Sequence, residues 1–224
     1  MGVEGLFGYL QAAAQAKNAE TFSPQPFVTL SRQAGAGSTE VASALARRLS
    51  EIEGRPWTVV DRALCEEVAA DRNLSVTLDN LMREIYREPI EDYITYLLLK
   101  QSSQGAVTKA VFQTLRAAAL SGRTVIVGRA GSLVTRDLSL GVHIRLVMPR
   151  PQRVSNLERW LGLPAQEAER ECARRDADRR QLVKSYFKKE IDDPLLYDAV
   201  WNAGRLSAEA IAELTARLVL LRRG

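Results

Sequence analysis

The sequence is poor in the residues that usually carry metal and nucleophile chemistry. Its 224 residues include two cysteines, Cys65 and Cys172, and one histidine, His143. A structural zinc site draws on four Cys or His ligands, so three such residues cannot close one. The cysteines are far apart and form no CxxC pair, which predicts free thiols in a reducing compartment. His143 lies in the alternating run VHIRLV (142–147) and reads as a strand histidine. With no second histidine, it is also the sole candidate for a Ser-His-Asp or Cys-His mechanism. Aromatic residues make up 6%, too few to pave a stacking surface for single-stranded nucleic acid. No apolar run approaches the ~18 residues of a membrane span. The N-terminus lacks the basic start, apolar stretch and cleavage site of a secretory signal. Met1-Gly2 is followed by Leu6, where a myristoylation signal carries Ser or Thr. Together these absences predict a soluble, cytoplasmic chain.

What remains is an ordinary globular composition, 46% hydrophobic and 26% charged. The length suits one compact domain with an inserted subdomain, large enough to bury a core without staples. The formal net charge is +4, and it is not spread evenly. Residues 145–190 hold twelve Lys or Arg against seven Asp or Glu, which leaves the rest of the chain at −1. One local basic patch fits a pocket for phosphates. A solvated helix face and a nucleic-acid surface are the other readings. No helix-turn-helix or zinc-finger pattern supports the last, so the sequence argues against a nucleic-acid partner.

Periodicity divides the chain into alternating elements. Residues 3–19 read as an alanine-rich helix, ended by Ser23-Pro24-Gln25-Pro26. Phe27–Leu30 reads as a strand, Arg32–Gly37 as a glycine-bearing turn, and the stretch from Ser38 as a helix with Val41, Leu45 and Leu49 on one face. Trp57–Val60 is a second strand ending at Asp61. Residues 62–120 read as helical in several pieces. Thr124–Val127 is a third strand running into Gly128-Arg129-Ala130-Gly131, and Val142–Val147 a fourth. Charged helices follow over 150–161 and 165–189. Tyr197–Trp201 is a fifth strand, and Ser207 caps a final helix to Arg222. This alternation predicts an α/β fold with a parallel sheet of about five strands flanked by helices. In such sheets ligands sit at the carboxyl ends of the strands, which brings Arg32, Asp61 and Arg129 toward one cleft.

Strand, glycine turn and helix, in that order, form the setting of a phosphate-binding loop, GxxxxGK[ST]. Over Arg32–Thr39 this chain keeps Gly37 and Thr39. Arg32 stands for the first glycine and Ser38 for the lysine. A phosphate site still needs a cation, and Arg32 is the nearest candidate. Thr39 offers a hydroxyl for Mg²⁺. The same residues also suit a plain strand-to-helix turn.

Four segments carry a family resemblance. They are TLSRQAGAGSTEVA (29–42), VVDRAL (59–64), VIVGRA (125–130), and DDPLLYDAVWN (192–202) followed by Arg205-Leu206-Ser207. Their order and spacing resemble the cytidylate kinase-like family, from about Phe27 to the C-terminus. The resemblance implies a P-loop nucleoside monophosphate kinase fold over 26–224, after an N-terminal helical extension at 1–25. It implies a monophosphate-side insertion at 62–120 and a mobile lid at 160–190. It also implies ATP as phosphoryl donor, CMP or dCMP as acceptor, and Mg²⁺. On these positions, Gly35, Ala36, Gly37, Ser38 and Thr39 would cradle ATP phosphates. Arg32, Arg175, Arg179 and Arg180 would be catalytic, and Asp61, Arg129 and Asp178 would bind the acceptor. Thr39 would hold the metal.

The family pattern is incomplete here. Ala130 stands where bacterial cytidylate kinases carry the acid of Gly-Arg-Asp. In the RDxxDxxR lid pattern, Arg174 and Asp178 match one register, with Arg175 and Gln181 at the other two places. Asp176 and Arg180, four residues apart, have the spacing of an ordinary surface ion pair, as do Arg174 and Asp178. Two further readings keep the fold: a nucleotide-binding protein without kinase activity, and a P-loop kinase for another small acceptor.

Overall fold

The computed structural model describes Gly8, residues 25–61, Cys65, Glu67, and residues 104–128 and 130–222. The expected N-terminal helix, most of the 62–120 insertion, and Arg129 lie outside the described residues.

The elements are β1 (Phe27–Arg32), α1 (Ser38–Glu53), β2 (Thr58–Val60), α2 (Gln104–Ser121), β3 (Thr124–Val127), α3 (Gly131–Val134), β4 (Gly141–Val147), α4 (Arg150–Leu161), α5 (Ala165–Phe187), β5 (Ala199–Asn202) and α6 (Ala208–Arg222). The strands form one five-stranded sheet in the order β2-β3-β1-β4-β5. Every pairing is parallel, as predicted. β1 sits at the centre, which explains why its first four residues, FVTL, are all buried. A parallel sheet is covered on both faces, so its inner strands have no polar-out positions to spare.

The alternation of side chains builds two cores. Val28, Leu30, Val125, Val127, Val142, Ile144 and Leu146 pack with Val41, Leu45 and Leu49 of α1 and Ile211 and Val219 of α6. On the opposite face, Phe27 and Ile126 pack with Phe112 and Leu115 of α2 and Val183 and Phe187 of α5. That second face also carries polar residues, which the register matches to one another. Thr29 lies opposite His143, and Ser31 opposite Arg145. Thr29 Oγ1 is 2.7 Å from His143 Nδ1, and Arg145 Nη1 donates to Ser31 Oγ at 2.9 Å. These contacts satisfy groups that would otherwise be buried without partners.

Several element ends differ from the sequence reading: β1 extends to Arg32, and α5 stops at Phe187. The fifth strand begins at Ala199, not Tyr197, because Pro194–Leu196 forms a 3-10 turn capped by the Asp193 carboxylate. The Asp193 side chain accepts from Leu195 N at 2.9 Å, and Tyr197 is left extended beyond the turn. The short α3 was not foreseen; it opens at Ala130, whose φ of +59° lies in the left-handed region. Such a residue costs about 1–2 kcal/mol when it is not glycine.

His143 is the strand histidine expected, and burial lowers its pKa to about 4. The neutral ring shares a hydrogen bond with the Thr29 hydroxyl through Nδ1. The unfolded chain therefore takes up a proton between about pH 6.5 and 4 that the folded chain refuses, and stability falls with pH across that window. Between pH 7 and pH 5 this one group should cost about 2 kcal/mol. Urea unfolding of the wild type and of His143→Gln at both pH values checks this. The variant should lose less on acidification, and equal losses would refute the assignment.

Candidate functional site

The turn between β1 and α1 is held from behind. Gln33 N donates to Leu146 O at 3.0 Å, and Gln33 Oε1 accepts from Met148 N at 3.0 Å. Gly35 and Gly37 have φ of +78° and +73°. A Cβ on Gly35 would also collide with the backbone carbonyl of Arg153, so glycine is required there on two counts. Gly37 is the N-cap of α1 and supplies no side-chain cap. The helix thus begins with first-turn N–H groups that no cap side chain takes, at the positive end of its dipole. Ser38 is half-buried and Thr39 exposed on that first turn. The arrangement can hold an anion.

The loop's carbonyls are tied to α4 and α5. Asn156 Nδ2 donates to Gly35 O at 2.9 Å. Arg153, 7% exposed, donates from Nε to Met148 O at 3.0 Å. Its Nη1 lies 2.6 Å from Asp176 Oδ2, 3.1 Å from Cys172 Sγ and 3.2 Å from Ala34 O. Asp176 Oδ1 in turn accepts from Ala34 N at 2.7 Å and from Arg179 Nη1 at 3.2 Å. Asp176 is therefore no surface partner of Arg180, as its spacing suggested. It joins the loop backbone to α5. Burial lowers the pKa of Arg179, with Asp176 opposing the shift. Burial also raises that of the Cys172 thiol, which keeps it protonated and inert.

A cleft of about 340 Å³ opens at the carboxyl ends of β1 and β3. Its walls include Thr29, Ser31 and Arg32 of β1, Gly128, Ala130 and Ser132 after β3, and Tyr197. Arg174, Arg175, Asp178 and Arg179 of α5 complete it. Arg32 crosses Gly128 so closely that a Cβ there would meet its guanidinium. Arg174 Nη1 pairs with Asp178 Oδ2 at 2.9 Å. Arg174 and Arg175 both bond Glu171, at 2.7 Å each. Those bonds, Arg174's first, pull the Glu171 pKa down to about 2, so it stays a carboxylate and holds the arginines in a row. The turn that follows α3 is braced by Arg116, which donates to Val134 O at 2.7 Å and to both Asp137 oxygens at 2.8 Å.

The structure thus brings Arg32, Arg175, Asp178 and Arg179 to one cleft. Gly35–Thr39 lie beside it at the start of α1, not in its wall. Arg180 is exposed and borders a smaller cavity shared with Arg32, Arg145 and Arg179. Asp61 is exposed past the end of β2, outside the cleft's described lining. Sequence reasoning missed Arg153, Asp176 and Arg145. Arg145 is 4% exposed, bonded to Asp192 at 2.5 Å and stacked 5.7 Å from the Tyr197 ring centroid. An arginine inside an apolar strand run was the available signal. Among the described residues no cluster of three His, Cys, Asp or Glu could hold a metal ion. Among those residues no helix is long and apolar enough to cross a membrane.

Two glycine-related substitutions should have opposite effects. Gly128→Ala forces a non-glycine into φ +83° against Arg32, and denaturant unfolding should show a loss of about 1–2 kcal/mol. Ala130→Gly relieves a left-handed alanine and should gain about 0.5–1 kcal/mol. The same sign for both would contradict the described turn.

Residues 27–205 match the model of the cytidylate kinase-like family. A cytidylate kinase from Methanothrix thermoacetophila is 28% identical over 179 residues, which is 80% of this chain and 88% of that protein. Among solved structures, an uncharacterized protein from Eubacterium ventriosum shares the fold with a TM-score of 0.68 at 16% identity, covering 88% of this chain and 99% of its own. A shikimate kinase from Bacteroides thetaiotaomicron aligns at a TM-score of 0.46 and 14% identity over 89% of this chain and 99% of its own, too slight a likeness to bear on function. The match across 27–205, over a parallel sheet with a glycine turn after its first strand, places this chain in the cytidylate kinase-like family.

Proposed function

We propose that the protein moves the γ-phosphoryl group of ATP to CMP or dCMP. The observation that carries this reading is the convergence of Arg32, Arg174, Arg175 and Arg179 on one cleft beside a glycine turn, in a chain of this family. Phosphoryl transfer needs positioning and charge stabilisation more than covalent help from the protein. A phosphate oxygen of the acceptor attacks Pγ, the bond from Pγ to the bridging oxygen breaks, and ADP and the nucleoside diphosphate leave.

In this reading the loop N–H groups from Gly35 to Thr39 receive the donor phosphates. Arg32 supplies the cation that the motif's lysine supplies elsewhere; its planar fork lies over Gly128 in the cleft wall. Arg129 binds the acceptor phosphate, for which a bidentate guanidinium is suited. Arg175, Arg179 and Arg180, on the proposed lid at 160–190, close over the transferring group and exclude water. Asp178 orients Arg174, which it already bonds, or meets the nucleotide, and Asp61 contacts the acceptor. The exposed Thr39 hydroxyl on the first turn of α1 would hold a Mg²⁺ ion, which would supply charge stabilisation to the donor phosphates. The positive-φ glycines and the uncapped helix start fit this cargo.

A second reading, nucleotide binding without transfer, is favoured by Ser38 in the lysine position and by the Asp176 carboxylate on Ala34 N. A coupled assay with Mg²⁺-ATP and a panel of CMP, dCMP, UMP, AMP and GMP separates the two. Turnover should be well above the others with CMP or dCMP. Calorimetric ATP binding with no turnover on any acceptor would favour the second reading. Arg129→Ala should weaken acceptor binding by about 10–100-fold and leave ATP binding unchanged. Loss of ATP affinity alone would mean the two sites are misplaced.

A further inference from the structure

We propose that Asp176 is a positioning residue that latches the phosphate loop to the arginine helix. This deepens the kinase reading and rests on it. Three features lead there. The Asp176 carboxylate receives the loop's own backbone N–H at Ala34, 2.7 Å away. The same carboxylate is bonded by buried Arg153, whose guanidinium also reaches the Ala34 carbonyl. It is bonded as well by Arg179, which lines the cleft. The two polar groups of one loop residue are thus held by one ion pair, and that pair sits one helical turn from the cleft arginines.

The chemistry explains why an acid belongs among so many arginines. Arg153 is buried and needs a counter-charge. Arg175 and Arg179 share the same short stretch of α5 and repel each other; Arg175 is among the groups that lower the Arg179 pKa. Asp176 offsets that repulsion and fixes Arg179 in one orientation. Since Ser38 replaces the loop lysine, the distance from loop to arginine helix takes the place of a lysine tethered within the loop. Asp176 sets that distance, while the cleft arginines make the substrate contacts.

The test compares full-length wild type with Asp176→Asn, Asp176→Ala and Glu169→Gln. Asp176→Asn keeps an oxygen for Ala34 N but drops the charge. Glu169→Gln loosens the other α4–α5 ion pair, Arg150 with Glu169, and controls for general loosening of the two helices. Amide hydrogen exchange at Ala34 is read by NMR, and kcat and KM for ATP and CMP by the coupled assay. In Asp176→Ala, Ala34 exchange should rise about 10-fold or more with the loss of its acceptor. Its kcat should fall about 100-fold, the scale of a small misplacement remote from the reacting atoms, while KM for CMP stays within about 3-fold. Asp176→Asn should fall in between, and Glu169→Gln should match wild type.

Faster Ala34 exchange with unchanged kcat would overturn the proposal, because the latch would then be structural only. A rise in kcat or in ATP affinity would also overturn it, since Asp176 would be a plug the donor must displace. If Asp176→Ala does not fold, Asp176→Asn decides by the same readouts. If wild type transfers no phosphoryl group, the kinase reading fails by itself. Ala34 exchange and calorimetric ATP affinity then judge the latch alone, and unchanged values in Asp176→Ala overturn it.

Discussion

A buried guanidinium is the constraint around which the loop end of this molecule is arranged. Leaving the Arg153 guanidinium unpaired in the interior would cost several kcal/mol. Its satisfaction requires the end of β4 at Met148, the loop at Ala34, and α5 at Asp176 to be present together. Three segments distant in sequence are thereby held in one geometry. The glycine at position 35 follows from the same constraint, because the Arg153 backbone occupies the space of a side chain there.

The sheet supplies the rest. Its two faces bury separate apolar cores, and its polar residues are matched across β1 and β4, Thr29 with His143 and Ser31 with Arg145. That polar strip leads toward the strand ends, where Ser31 and Tyr197 meet at 3.2 Å in the cleft wall. Arg145 bonds Ser31 and Asp192 together. The segment after α5 is thus anchored to the central strand. Charge is concentrated where the strands end and only partly offset, because each carboxylate is shared by two arginines: Glu171 by Arg174 and Arg175, and Asp176 by Arg153 and Arg179.

Much of this was legible in the sequence, for physical reasons. Central parallel strands are buried on both faces, so β1, β3 and β4 show as short apolar runs. Gly35 and Gly37 mark the turn because glycine takes its positive φ angles without the strain other residues bear. Ser207 marks the last helix because its hydroxyl accepts from Ala210 N at 3.1 Å. What was hidden depends on partners remote in the chain. Asp176 has several helical neighbours of opposite charge, and spacing alone cannot choose among Arg179, Arg180 and a distant Arg153. Arg145 looked like one more member of a basic stretch although it is buried. The start of β5 was placed two residues early because Tyr197 is extended but serves as the cap of the Pro194–Leu196 turn, and pairing begins only at Ala199.

The central claim is a transfer between two phosphates, and phosphorus NMR on a stoichiometric mixture of Mg²⁺-ATP and CMP observes it directly. The account predicts that ADP and CDP appear together, in equal amounts, with no inorganic phosphate. ADP accompanied by inorganic phosphate alone would mean that water, not a nucleotide, receives the phosphoryl group. No change in a sample whose ATP is bound would mean that the cleft holds nucleotides without joining them, and either result would contradict the account.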